Sequence, residues 1–212
     1  MHEQWPVSPE QRVVLQASWE TYECLLAENV ESCGTRLAYD EGLLEIMVVS
    51  LGHENPNRTL AKLAEIVAEE TDRDFQPSGS TTFRRKDLKK GLEPDSSYYI
   101  DHAEAVRGKS EIDLMVDPPP DLVIEVDITR SWLNRFRILA AVGVPEVWRY
   151  DGERVTMHWL GEGLYIEIAT SVVLPPLTAN QATTFLQENR LLRSSAWLKR
   201  VHQWVRGQAL WP

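Results

Sequence analysis

No stretch of this sequence stays apolar for anything near the ~20 residues a membrane-spanning helix requires, and only two cysteines, Cys24 and Cys33, occur in it. The first absence argues against a helical membrane protein. The second rules out a disulfide framework or a zinc knuckle, and reduced, structural thiols are expected. The opening residues MHEQWPVSPEQR lack the basic-then-apolar order of a signal peptide, so the cytoplasm is the expected compartment. Positive charge is also short: 22 lysines and arginines face 32 aspartates and glutamates, a formal net charge of −10. That balance counts against tight, sequence-independent nucleic-acid binding, although segregated charge or a bound cation can offset it.

What is present is an ordinary globular composition, 25% charged and 43% hydrophobic, over 212 residues. Such a length predicts one domain with a sizeable core. Ser8-Pro9-Glu10-Gln11 has the order of a helix start, and Ser18 to about Val30 reads as a second short helix ending near Gly34, so N-terminal helices are expected over about 8–33. Arg36–Tyr39 and Leu43–Val49 flank Asp40-Glu41-Gly42 and predict a hairpin. Leu60, Leu63, Ile66 and Val67 recur at helical spacing within Asn57–Glu70. Strands are expected around Gln76–Phe83 and Ser96–Ile100, separated by the basic run Arg84–Lys90.

Pro118-Pro119-Pro120 then launches Asp121–Asp127, a β-branched run apolar enough for a central strand. A helix capped by Thr129 or Ser131 should run from about Trp132 to Val142, with Gly143 as its C-cap. Pro145–Tyr150 and Val155–Leu160 predict a hairpin across Asp151-Gly152, followed by Leu164–Ala169. Beyond the Leu174–Leu177 boundary a helical extension occupies about 178–212. It includes a helix Ser194–Val205 whose Trp197 and Trp204 read as core or dimer-interface residues rather than base-stacking platforms. The order predicts a single α/β (α+β) domain, a mixed central sheet flanked by helices.

Glu125 and Asp127, two apart on the central strand, point to one face. Carboxylates crowded this way are costly unless a positive group sits between them, and a hard cation such as Mg²⁺ satisfies that need through oxygen ligands. The bland alternative is an exposed Asp127, with Glu125 paired to Arg130 or Arg135. Asp95 opens another strand in Glu93-Pro94-Asp95.

Asp95 followed thirty residues later by Glu125 on a hydrophobic strand resembles the motif of the PD-(D/E)XK nuclease superfamily. The chain looks in particular like the Uma-two family of restriction-endonuclease-like proteins, common in cyanobacteria. The segments that carry the likeness are Leu44–Met47 before His53-Glu54, Ser80–Arg85, Glu93–Ser96, Asp121–Asp127 and Gly143–Trp148. The resemblance implies a restriction-endonuclease-like fold, Asp95 and Glu125 as ligands of Mg²⁺ or Mn²⁺, and the Val126 carbonyl as a further ligand. It also implies a role for His53 in positioning phosphate or water, with a helix-start cap as the structural alternative. Glu45 or Glu54 would be the superfamily's helix-borne acid. The superfamily lysine should stand at position 127, where this chain has aspartate. In the family it often moves to the following helix, eight residues before the Gly-Val-Pro turn, where this chain has Arg135. Arginine can stabilise phosphate charge but stays protonated and cannot act as general base.

Three readings follow. The first is a Mg²⁺-dependent endodeoxyribonuclease in which Asp95 and Glu125 hold the metal, Asp127 assists and Arg135 neutralises phosphate. The second is a catalytically silent nuclease fold that binds nucleic acid or a protein. The third is a hydrolase of smaller phosphoesters. DNA is the partner under the first reading, with Arg84–Lys90 as a backbone contact or simply a solvated turn, and a homodimer is compatible with it.

Overall fold

The computed structural model describes residues 11–28, 35–79, 81–128 and 133–208. Two sheets carry the fold. Strands β1 (Gln11–Gln16), β2 (Thr35–Asp40), β3 (Leu43–Val48), β5 (Phe83–Arg85) and β6 (Lys90–Leu92) form an antiparallel sheet in the order β1-β3-β2-β6-β5. Strands β4 (Gln76–Pro77), β7 (Ser96–Tyr99), β8 (Leu122–Val126), β9 (Glu146–Tyr150), β10 (Val155–Gly161) and β11 (Leu164–Ile168) form the second, in the order β11-β10-β9-β8-β7-β4. This sheet is mixed: β8 and β9 run parallel, joined across helix α4 (Arg135–Val142), and its other pairs are antiparallel. The remaining helices are α1 (Trp19–Glu28), α2 (Leu51–Glu70), α3 (Ala103–Val106), α5 (Ala179–Leu191) and α6 (Ser194–Gln208).

Several expectations meet corrections here. The helix anticipated from Ser8-Pro9-Glu10-Gln11 does not extend through Gln11–Gln16, which is a strand; residues 8–10 lie outside the described residues. Val13, Val14 and Leu15 favour a pleated surface, and a partner strand β3 is available, so pairing overrides the Ser-Pro helix signal. The expected strand over 76–83 divides between the two sheets, with Pro77 and a left-handed Gly79 falling in the interval. Helix α2 starts six residues before Asn57 and carries Pro56 inside it. The anticipated Thr129 or Ser131 cap lies outside the described residues; the side chain of Asn134 caps α4 by accepting from the Arg137 amide. Ser18 does cap α1, accepting from Thr21 N at 3.2 Å. Glu41 and Gly42 both take positive φ, +48° and +104°, the two-residue turn that matches strand twist in a hairpin. Gly143, with φ +88°, ends α4 where a left-handed residue is needed. Cys24 is an exposed free thiol rather than a packed one, and Cys33 lies outside the described residues.

Strand β8 is buried along its whole length because both faces of its sheet are covered. Leu122, Ile124 and Val126 face a core built with α2, α5 and α6, which also takes in Trp148, Trp197 and Val201. Val123 faces the other way, into a core shared with α4, Val147 of β9 and Ala38, Phe83 and Leu92 of the antiparallel sheet. Each fully buried aliphatic side chain contributes roughly 1.5–3 kcal/mol. Trp197 is core, donating from Nε1 to the Phe185 carbonyl at 2.8 Å, and Trp204 packs edge-on against Phe185. Among the described residues no helix is long and apolar enough to cross a membrane.

Two polar anchors hold this frame, one buried and one at the surface. Glu146 is completely buried, and its carboxylate accepts from Trp148 Nε1 (2.6 Å), Ser171 Oγ (2.6 Å), Val172 N (2.8 Å) and Val173 N (3.0 Å). It pins the 171–174 loop to β9. Glu70, at the end of α2, accepts from Arg206 at 2.7 and 2.8 Å and pairs with His202 at 2.7 Å, so it docks α6. The Arg206 bonds, and then His202, hold the Glu70 carboxyl down to about 2 from its ordinary 4.5.

Two outcomes are expected. Glu146→Ala strands four donors and should cost at least about 3 kcal/mol in urea unfolding. For Glu70 the folded pKa lies below the unfolded one, so its contribution is complete above about pH 4.5 and is lost as pH falls toward 2. Acid titration followed by tryptophan fluorescence should therefore show a shallower fall in Glu70→Gln than in the wild-type chain.

Candidate active site

The mixed sheet places the carboxylates. The β7–β8 register pairs Ser96 with Ile124, which sets Asp95 directly across from Glu125 on the neighbouring strand. Both are buried. Asp95 Oδ2 accepts from Val126 N at 2.7 Å and lies 3.0 Å from His53 Nε2, which also meets the Val126 carbonyl at 3.0 Å. Asn57, one turn further along α2, donates to the Asp95 carbonyl at 3.2 Å and accepts from Ser96 Oγ at 2.8 Å. The first turns of α2 thus grip the ends of both strands, which is why that helix has to begin before Pro56.

Arg135 enters from the first turn of α4. Its Nε stands 3.0 Å from Glu125 Oε2, its Nη1 3.5 Å from Glu45 Oε1, and its Nη2 donates to the Glu93 carbonyl at 2.8 Å. The contact with Glu125 is an ion pair without hydrogen-bond alignment, and Glu125 Oε1 is buried with no hydrogen-bond partner among the described residues. Asp127 takes different arginines: Arg149 of β9 at 2.8 and 3.2 Å on Oδ2, and Arg12 of β1 at 3.4 Å on Oδ1. Arg12 also reaches Glu45 at 3.4 Å. A cavity of about 220 Å³ opens here, lined by Glu125, Asp127, Leu133, Asn134, Arg135, Phe136 and Arg149. A larger cleft of about 650 Å³ between α2, α5 and α6 shares none of these residues.

Burial dominates the electrostatics. It pushes the Glu125 carboxyl up to about 8, against Arg135, and the neighbouring Asp95 and Asp127 push the same way. Burial likewise raises Asp95, opposed by Arg135 and His53. For Arg135 burial works against the charge, but Glu125, Asp95, Glu45 and Asp127 outweigh it, and its pKa sits above the ordinary guanidinium value. A guanidinium is therefore held permanently charged among carboxylates whose own ionisation burial opposes.

The geometry brings Asp95, Glu125, Val126, Asp127, Arg135 and His53 together. It also separates the two candidate acids. Glu45, 1% exposed and on β3 rather than a helix, meets Arg135, whereas Glu54 is on the outside of α2, bonded to Arg58 at 2.6 Å. Arg12, Arg149 and Asn57 were not anticipated. Arg149 was within reach of the sequence: parallel pairing of β8 with β9 aligns it with Glu125, and the alternation of Glu146, Trp148 and Tyr150 leaves it on the same face. Arg12 had no such signal, because it comes from the other sheet. Part of the basic run is paired: Arg85 with Asp87 in its own hairpin, and Lys90, buried, with Asp40 and Glu41 of the β2–β3 hairpin, while Arg84, Lys86 and Lys89 are exposed.

Among the described residues no group of three or more His, Cys, Asp or Glu side chains is arranged to hold a metal ion. A smaller protein donor set is enough for Mg²⁺, which retains several waters and takes one or two carboxylates. The unpartnered Glu125 Oε1 beside Asp95 is a donor of that kind, so the residues present fit such an ion.

Removing the Arg135 charge should destabilise the metal-free chain: Arg135→Met is expected to cost roughly 3–5 kcal/mol in denaturant unfolding, because a buried ion pair loses one partner. Arg135→Lys should recover part of that loss.

The sequence model of the family described as "Putative restriction endonuclease", Uma2, matches residues 19–193. Among solved structures, one described as a putative nuclease belonging to DUF820 from Anabaena variabilis aligns over 71% of this chain and 90% of its own, at 14% identity and a TM-score of 0.49. No curated protein matches the chain.

Proposed function

The chain belongs to the Uma2 family of putative restriction endonucleases, and on that premise we propose that it is a divalent-metal-dependent endonuclease hydrolysing DNA phosphodiesters. The observation that carries this reading is the Glu125 carboxylate, buried, missing a partner on Oε1, and set opposite Asp95 at the edge of an open cavity. Asp95, Glu125 and the Val126 carbonyl would hold Mg²⁺ or Mn²⁺. A cation bound there supplies an acidified water and charge stabilisation at phosphorus.

The other residues prepare that site. His53 bridges Asp95 and the Val126 carbonyl and fixes both oxygens in place. Arg135 balances the carboxylates, with Glu45 and the Glu93 carbonyl fixing its plane. It replaces the family lysine as a charge but not as a proton acceptor. Attack by water therefore has to proceed without a side-chain base at this position. Asp127 holds Arg149 and Arg12 in position. The cation-bearing pocket lies in a chain of net charge −10, so DNA would be held by a focused site rather than by a broad basic face.

A second reading, a silent nuclease fold, is favoured by one observation: Arg135 already sits on Glu125. Calorimetric titration with Mn²⁺ and a plasmid-nicking assay separate the two. Wild type should bind the ion and nick in Mg²⁺. Glu125→Gln should lose both with its fold intact, since an uncharged amide is a poor ligand yet matches the carboxyl in shape, and Arg135 keeps Glu45 and the Glu93 carbonyl. Arg135→Lys should retain or raise nicking. Equal residual nicking by wild type and Glu125→Gln would mark the activity as contamination and leave the binding-protein reading.

A further inference from the structure

The three arginines around the carboxylates differ in what they are free to do. Arg135 is 8% exposed and bound to three acceptor groups, and the Arg12 side chain is 6% exposed and shared between Glu45 and Asp127. Arg149 is 40% exposed, and Asp127, its partner, is 19% exposed. Its Nε and Nη2 both rest on Asp127 Oδ2, and among the described residues its Nη1 has no protein partner. It lines the same cavity as Glu125.

A buried ion pair is costly to open because one charge is left stranded, whereas a pair this exposed is worth little and opens cheaply. A planar guanidinium matches two phosphate oxygens as well as it matches a carboxylate. We infer that Arg149 forms a phosphate subsite of this cavity, and that Asp127 is its resting partner, giving the guanidinium up when a backbone phosphate of DNA enters. The inference deepens the nuclease reading and rests on it for the identity of the ligand. The resting pair has a further consequence. With no phosphate present, Asp127 competes for Arg149, so the wild-type chain should bind an anion more weakly than one in which that carboxylate has been neutralised.

The test is binding of a short fluorescent DNA duplex, followed by anisotropy across a salt series in EDTA, where no divalent ion takes part. Arg149→Met should weaken binding about tenfold, equally for different sequences, and lower the salt slope by about one unit. Arg149→Lys should keep the salt slope and recover only part of the affinity, since an ammonium retains the charge but not the bidentate contact, which guards against misreading a folding defect. Asp127→Asn should tighten binding severalfold, and the gain should vanish in the Asp127→Asn, Arg149→Met double variant. A purely structural Asp127–Arg149 pair predicts the opposite sign for Asp127→Asn, namely weaker binding with a lower melting temperature. Weaker or unchanged binding by Asp127→Asn, or unchanged binding by Arg149→Met, overturns the subsite alone, leaving the Mn²⁺ titration of Glu125 as the separate test of the metal reading. Wild type that binds no duplex overturns the subsite together with the DNA reading.

Discussion

Two carboxylates held side by side out of water cannot both ionise unless positive charge is brought to them, and the site is organised around that constraint. Asp95 and Glu125 sit on adjacent strands of a sheet covered on both faces, so water cannot compensate them. Arg135 supplies the fixed charge, and its position depends on α4 starting where Asn134 caps it. Placing Arg135 then needs Glu45 from the other sheet and the Glu93 carbonyl. Compensation remains incomplete: burial still leaves Glu125 titrating near 8 and one of its oxygens without a hydrogen bond. Such a deficit of positive charge is what a divalent ion would correct.

The antiparallel sheet acquires its purpose from the same constraint. Its strands β1 and β3 deliver Arg12 and Glu45 to the gap above β8, where they alternate with Arg135 and Asp127. Opposite charges in that order satisfy one another at short range, which lets an acidic chain hold several guanidinium groups close together. The grading of exposure from Arg12 and Arg135 to Arg149 follows from position. The first two reach in from β1 and from the start of α4, and the third stands on a strand at the cavity wall.

The side of the mixed sheet away from the site serves stability. Helices α2, α5 and α6 cover Leu122, Ile124 and Val126, and Glu70 ties α6 to α2. Glu146 gives the Gly-Val-Pro-Glu-Val-Trp segment a structural meaning: a buried carboxylate that gathers an indole, a hydroxyl and two amides. The two buried acids differ in their partners: the Glu146 carboxylate accepts four hydrogen bonds, whereas among the described residues Glu125 Oε1 accepts none and its side chain lines a cavity.

The parts legible in the sequence were those with local causes. The β2–β3 turn follows from Asp40-Glu41-Gly42, the α4 stop from Gly143, and the central strand from its β-branched run, because backbone sterics and short-range burial decide them. The juxtaposition of Asp95 and Glu125 was legible through the family motif, and the shared face of Glu125 and Asp127 through the period-two rule. Where a segment has two acceptable states, its partner decides: Gln11–Gln16 became a strand because β3 offered an open edge, and the 76–83 region divided between sheets that sequence patterning had not distinguished. The same holds for charge. Sequence could name Glu45 and Glu54 as equal candidates, and only the fold buried one against Arg135 and left the other on the surface with Arg58. Whether a carboxylate is compensated, exposed or short of a partner depends on groups distant along the chain, such as Arg12, 115 residues from Asp127. That separation is the physical reason why strand spacing and the family motif indicated the acids of the candidate site while the tertiary structure alone assigned their counter-charges.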